Sequence, residues 1–159
     1  MGKVLSTFTN GWPGAIARSL DDVVISHPNK SGAALAFGVP VAMNSAGDGF
    51  TAFDPATHTG DDFVGITVRA PAKTPDAYGA DTGSYAENEL TDVLVRGHII
   101  GLTASGTYKL GDPVSIEKST GKFANGSTSS YVALPNVRVS ALPDASGMAE
   151  LLLTERNIL

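Results

Sequence analysis

The most regular stretches of this sequence place apolar side chains at every second position rather than every third or fourth. A period of two sends successive side chains to opposite faces of a pleated strand, so these stretches read as strands, not helices. Val64, Ile66 and Val68 alternate with Gly65, Thr67 and Arg69. Val93 and Val95 alternate with Asp92, Leu94 and Arg96, and Val137, Val139 and Ala141 with Arg138 and Ser140. Further candidate strands lie at 14–18, 22–26, 39–44, 50–53, 98–102, 113–117, 122–124 and 148–154. Gly97, between two apolar runs, marks a bulge or kink. Asp48-Gly49, Ser105-Gly106, Thr120-Gly121 and Ser146-Gly147 supply residues tolerant of positive φ at the turns between strands.

Punctuation is dense throughout. Glycine and proline number 18 and 9, or 27 breakers in 159 residues, which leaves little room for long helices. A chain of this size makes one domain that buries roughly two thirds of its unfolded surface, so it needs no covalent staple. With no cysteine, disulfide frameworks, thiolate zinc sites and cysteine nucleophiles are excluded together. The expected fold class is all-β: a jelly roll or small β-barrel or sandwich of about ten short strands, with an extended N-terminal arm. The arm is placed at residues 1–11 and a single β domain at 12–159.

A weak internal repeat runs through the chain. Phe37-Gly38-Val39-Pro40-Val41-Ala42-Met43 matches Leu110-Gly111-Asp112-Pro113-Val114-Ser115-Ile116 at an offset of 73 residues. The same ungapped offset pairs Phe50 with Phe123, Val64 with Val137 and Ile66 with Val139. In each copy glycine supplies a turn, and proline then opens a strand where no ladder donor is needed. A duplicated plan and two unrelated Gly-Pro hairpins would both produce this pattern.

The net charge is −5, and no stretch gathers Lys and Arg on one face, so no nucleic-acid partner is expected. Residues 47–92 hold Asp48, Asp54, Asp61, Asp62, Asp76, Asp81, Glu87, Glu89 and Asp92 against Arg69 and Lys73, a local balance of 2 − 9 = −7. Such a run is a set of solvated loops or an acidic face for a basic partner. The first residues lack the apolar core of a secretory signal, and the run from Ala33 to Met43 is broken by Gly38 and Pro40. No membrane partner is expected. The myristoylation pattern of Gly2 with Ser6, and the sequons at Asn29 and Asn125, are short patterns that recur by chance.

Catalytic signatures are lacking. There is no G-x-S-x-G elbow, and Gly121-Lys122 is followed by Phe123 without the upstream glycine of a phosphate loop. His27, His58 and His98 stand singly, with none of the spacings that hold a metal from one element. His98 fits a strand residue with a satisfied ring. Asp54, His58, Asp61 and Asp62 crowd one stretch but lack the Asp/Asn and Gly spacing of a calcium loop, so they read as an exposed turn. Glu87 and Glu89, placed on one strand, would share a side and form a hydrated rim rather than an acid–base pair. No cofactor, no metal and no enzymatic activity are expected.

The ends say more. Val4, Leu5 and Phe8 precede the turn at Gly11-Trp12-Pro13-Gly14, and the last residues include Ile158 and Leu159. These six residues, Val4, Leu5, Phe8, Trp12, Ile158 and Leu159, are the candidate contacts, because apolar termini need a surface to close on and Trp and Phe anchor interfaces. Trp12 as a core plug is the competing reading. An aromatic platform of Tyr78, Tyr85, Tyr108 and Tyr131 with Trp12 would instead suit a carbohydrate- or receptor-binding module.

Taken in order, Trp12-Pro13-Gly14-Ala15-Ile16-Ala17-Arg18, Phe37-Gly38-Val39-Pro40-Val41, Phe63-Val64-Gly65-Ile66-Thr67-Val68-Arg69, and Gly111-Asp112-Pro113-Val114 with Thr120-Gly121-Lys122-Phe123 resemble the structural cement proteins of tailed-phage capsids. The resemblance spans roughly residues 11–142. It implies a small all-β protein that decorates the outer surface of a phage head and cements adjacent major capsid protein subunits. It further implies a virion component made in the host cytoplasm. A homotrimer is the first expectation and a homodimer the second, since a barrel with unpaired edges and apolar termini completes itself by symmetric pairing.

Overall fold

The computed structural model describes residues 10–70 and 83–155. Eleven strands run through them: β1 (Ile16–Pro28), β2 (Leu35–Ala36), β3 (Pro40–Met43), β4 (Phe50–Ala52), β5 (Phe63–Thr67), β6 (Ser84–Tyr85), β7 (Leu90–Leu102), β8 (Pro113–Glu117), β9 (Phe123–Ala124), β10 (Tyr131–Ala141) and β11 (Met148–Leu153). The expected all-β class is observed, with one 3-10 turn, at Gly60–Asp62, among the described residues. The strands are not uniformly short. The candidates at 14–18 and 22–26 merge into the 13-residue β1, and those at 92–96 and 98–102 merge into the 13-residue β7. Gly97 bends β7 without ending it, at φ +121, where a Cβ would overlap the Asp22 carboxylate.

Nine strands form one antiparallel sheet in the order β4-β3-β5-β7-β11-β10-β8-β9, with β1 paired to β7; β2 and β6 form a separate pair. This sheet curls twice. In the first half β1, β7, β5, β3 and β4 are neighbours in turn, and a parallel bridge from Phe50 to Asn29 returns β4 to the end of β1. In the second half β7, β11, β10, β8 and β9 repeat that order, and Phe123 bridges in parallel to Thr103 just past β7. The 73-residue offset therefore carries β1 onto β7, β3 onto β8, β4 onto β9 and β5 onto β10. Two five-stranded barrels of one topology share β7, the last strand of the first and the first strand of the second. Of the two readings of the sequence repeat, this arrangement matches the duplicated plan.

The repeat extends to hydrogen bonds. Gly38 and Gly111 both lie at positive φ, +71 and +83, two residues before the proline that opens β3 or β8. The Gly38 N–H donates to Thr67 O at 2.9 Å and the Gly111 N–H to Val139 O at 2.8 Å. In return the Thr67 N–H reaches Val39 O and the Val139 N–H reaches Asp112 O, both at 3.0 Å, so in hydrogen bonding Val139 stands where Thr67 does, one residue short of the 73-residue offset that pairs it with Ile66. Pro135 interrupts β10, where it cannot donate to the ladder, and the pairing with β8 shifts register between Leu134 and Arg138.

Each barrel has its own apolar filling. Leu35, Phe37, Val41, Phe50, Val64, Tyr85, Val93 and Val95 fill the first. Val114, Ile116, Phe123, Leu134, Val137, Val139, Leu151 and Leu153 fill the second, joined by Phe53, Phe63, Ile66 and Leu94 from the first half. Two strands thus differ from the simple alternation. Leu94 is buried although it alternates with Val93 and Val95, because β7 has a core on each side. Val64 and Ile66 join different clusters, beside the register shift between Val41 and Ala42. Two of the four expected turns hold a positive-φ glycine as read, at Gly121 and Gly147; near Asp48 that role falls to Gly47, and Gly106 does not take it. Glu87 and Glu89 lie in the turn between β6 and β7, not on a strand.

Candidate functional site

The segment Asn10–Gly14 crosses the outside of β7 and ties the two barrels together. Asn10 is held by three bonds to the β10–β11 turn: its N–H donates to Asp144 Oδ2 at 2.9 Å, and its Nδ2 to Leu142 O at 2.7 Å and Met148 O at 2.6 Å. Burial pushes the Asp144 carboxyl up, but the N–H groups of Asn10, Met148 and Ser146 outweigh it and hold the group below its ordinary 3.8. Further along, the Gly14 N–H donates to Ile100 O at 2.8 Å and Gly14 O accepts from the Arg69 N–H at 2.7 Å. Gly14 and Gly38 pack so closely that a Cβ on Gly38 would lie 2.6 Å from the Gly14 nitrogen, so neither position admits a side chain. Thr67 locks the other side by donating its hydroxyl to Ala36 O at 2.7 Å while accepting the Val39 N–H at 3.0 Å.

Above this knot the side chains stack from solvent to core. Trp12 is 42% exposed. It lies on the surface and is not a core plug. The Arg69 guanidinium sits 5.6 Å from the Trp12 ring centroid and 5.9 Å from that of Phe37, and Phe37 meets Tyr85 edge-on at 5.4 Å. A cation over an aromatic face at such a site contributes about 0.5–1 kcal/mol and fixes the ring orientation. Tyr85 is buried and donates its hydroxyl to Val68 O at 2.8 Å; burial pushes its phenol up to about 12.

Of the six candidate contacts, Trp12 is described; Val4, Leu5, Phe8, Ile158 and Leu159 lie outside the described residues. The roots of the two ends are separated. Asn10 is bonded at Met148, where β11 starts, whereas the chain leaves for its C-terminus after Leu153, where β11 ends. Of the aromatic platform, Tyr85 is core and Tyr108 is half-buried with its hydroxyl on Ala104 O, so these two do not join Trp12 on the surface; Tyr78 lies outside the described residues.

A polar cluster escaped the sequence reading. Glu150, 8% exposed, accepts from Arg18 Nε at 3.0 Å and Ser140 Oγ at 2.9 Å, and stands 2.7 Å from His98 Nδ1. It joins β1, β7, β10 and β11. A nucleophile relay needs serine and carboxylate on opposite ring nitrogens, but here Ser140 and Glu150 both address Nδ1. The cluster is a clasp across four strands. Its sequence signal was a lone charge inside the apolar run Met148–Leu153.

Within the acidic stretch, Asp54 and Asp62 spend their carboxylates locally. Asp54 accepts from the Ala56 N–H and the Thr57 hydroxyl, and Asp62 from the N–H and hydroxyl of Thr59; these bonds lower both carboxyls, while His58 Nδ1 accepts from the Asp54 N–H. Asn29 is buried, with its Nδ2 donating to Ala33 O, Tyr85 O and Ala86 O, so that sequon is structural.

The family model described as "Structural cement protein (E217 gp24/Pam3 gp6)" matches residues 3–154. The chain belongs to this family of phage structural cement proteins. The match reaches beyond the 11–142 span of the quoted motifs and takes in Val4, Leu5, Phe8 and Trp12, but not Ile158 or Leu159. A solved structure titled "The capsid of Myoviridae Phage XM1" contains a chain of the same fold, with a TM-score of 0.76 at 15% identity over 97% of this chain and 96% of that one. No curated protein matches the sequence. Three of the four motif blocks that carried the resemblance converge in space: Gly14, Gly38, Thr67 and Arg69 of this cement protein are the knot beneath Trp12, while Gly111–Val114 and Phe123 belong to the second barrel.

Proposed function

We propose that this cement protein binds the outer surface of a phage head and holds adjacent major capsid protein subunits together, without catalytic turnover. Membership of the structural cement family over nearly the whole chain carries the reading. A body of two barrels that share β7 supports it, since a clip that resists shell expansion gains from continuous strand pairing and from repetition over a symmetric shell. Contact is assigned to Val4, Leu5, Phe8 and Trp12 at the Asn10 end, with Ile158 and Leu159 at the other end of β11. The working state on the shell is a homotrimer, with a homodimer as second choice, assembled in the host cytoplasm and carried on the virion.

Co-sedimentation with heads that lack the protein tests this reading. Full-length protein pellets with the heads, whereas a chain lacking residues 1–9 stays in solution while its circular dichroism remains that of a folded β protein. Undiminished pelleting of the truncated chain refutes the role of the arm. Failure of the intact chain to pellet refutes the reading itself.

A further inference from the structure

Among the described residues, the 13-residue β1 pairs with β7 and with no other strand. On its opposite edge the first barrel closes only past Pro28, where the Lys30 N–H donates to Phe50 O at 2.7 Å. From Val24 to Pro28 the register against β7 runs without a shift, so this open edge is straight. The direction of its peptide groups follows from β7. The Val68 N–H donates to Asp92 O at 2.8 Å, so Asp92 turns its carbonyl towards β5 and away from β1. In an antiparallel pair, residues opposite one another turn their peptide groups inward together or outward together. Ser26, opposite Asp92, and Val24, opposite Leu94, therefore point their N–H and C=O groups away from β7. Among the described residues these groups meet no partner. Asp21, Asp22 and Pro28 guard the two ends of the edge, but Val24, Ile25 and Ser26 carry none of the charges or prolines that keep other strands away.

We propose that copies bound side by side on the shell join through this edge, β1 of one against β1 of its neighbour, antiparallel about a twofold at Ile25. The contact rests on the head-binding reading above and uses neither chain end. The fold itself shows what such an edge accepts. The 73-residue offset carries Ile25–His27 onto His98–Ile100 of β7. There the corresponding edge is covered by the start of β1, antiparallel, with Arg18 opposite His98, Ile16 opposite Ile99, and the Ile100 N–H donating to Ala15 O at 2.9 Å. A strand position that is filled on β7 is thus open on β1. With the twofold at Ile25, Val24 of each copy meets Ser26 of the other, and every free N–H of these residues finds a free C=O. Val23 then faces His27 and Asp22 faces Pro28, so no like charges are opposed. Val24, 40% exposed, packs across the seam. So short a ladder buries too little surface to hold free copies together, whereas a shell that fixes neighbours side by side supplies the local concentration that makes it effective.

The chain has no cysteine, so introduced thiols report without background. Val24→Cys with Ser26→Cys in one chain is expected to give a dimer-sized disulfide product on decorated heads under mild oxidation, and little of it in dilute solution. Side chains two apart on one strand stand about 7 Å apart, too far to bridge within the chain. Leu110→Cys, at an exposed position of the second barrel, is expected to stay monomer-sized on the same heads. Pelleted protein that gives no dimer-sized product at the β1 sites, or an equal yield from Leu110→Cys, overturns the inference alone. Failure of the unmodified chain to pellet overturns the head-binding reading and the inference with it. Val24→Lys sets a charge on the edge, and is expected to reach the same saturation on heads as the unmodified chain with a binding curve that has lost its cooperativity. A curve as steep as that of the unmodified chain also overturns the inference.

Discussion

Phe50 and Phe123, 73 residues apart in sequence, close the two barrels by the same device: each lies in a two- or three-residue strand and bridges in parallel to the residue or so beyond a long strand, at Asn29 and Thr103. Both rings are essentially inaccessible, at 0% and 2%. Replacing either by alanine is expected to cost about 3–5 kcal/mol, the usual range for deleting a buried phenylalanine. Urea midpoints measured on Phe50→Ala and Phe123→Ala should fall by similar amounts. A large loss at one site and almost none at the other would mean that the two closures are not equivalent.

The shared strand should make the barrels cooperate. Gly97→Ala forces an L side chain into φ +121 and drives its Cβ into Asp22, a combination expected to cost about 2–4 kcal/mol. Because β7 belongs to both cores, tryptophan fluorescence and far-ultraviolet dichroism should still report one coincident transition. Two separated transitions would contradict the account of β7 as a common wall.

Asp144 sets an acid limit on the anchor at Asn10. Its carboxyl is held below the ordinary 3.8 when folded, so it contributes stability above that value and loses it as pH falls through the lower folded value. Asp144→Ala is expected to remove about 1 kcal/mol at neutral pH and to flatten the stability profile below pH about 4. The single tryptophan, Trp12, lies two residues from Asn10, so its emission is the convenient probe of the anchor.

Tyr85 sets the alkaline limit. Its phenol, raised from 10.0 to about 12 by burial, favours the folded state below pH 10 and withdraws that support between pH 10 and 12. Tyr85→Phe should lose about 1 kcal/mol at neutral pH, from the bond to Val68 O, and should unfold less steeply with rising pH.

Much of this was legible in the sequence because strand periodicity and turn chemistry are local. Val137, Val139 and Arg138 sort to the faces that their alternation assigns, and the 73-residue offset, read first from Phe37-Gly38 and Leu110-Gly111, matches the architecture. What alternation could not show was Leu94, since a strand walled by two cores buries both of its faces. The two-residue strands β2 and β6 carry too few residues to show a period. Glu150 was invisible for another reason. Its partners Arg18, His98 and Ser140 lie 132, 52 and 10 residues away, so only the sheet order brings them together. For Trp12 the sequence left an interface anchor and a core plug both open; its exposure and its stacking on Arg69 depend on the Gly14–Gly38 approach, which no local pattern shows.

The most direct measurement is the disruption temperature of purified heads with and without this protein, followed by calorimetry or by dye access to the packaged genome. A clip that bridges subunits must raise that temperature in proportion to occupancy, up to a plateau when every site is filled. Heads that carry the protein at full occupancy yet come apart at the temperature of bare heads would contradict the account.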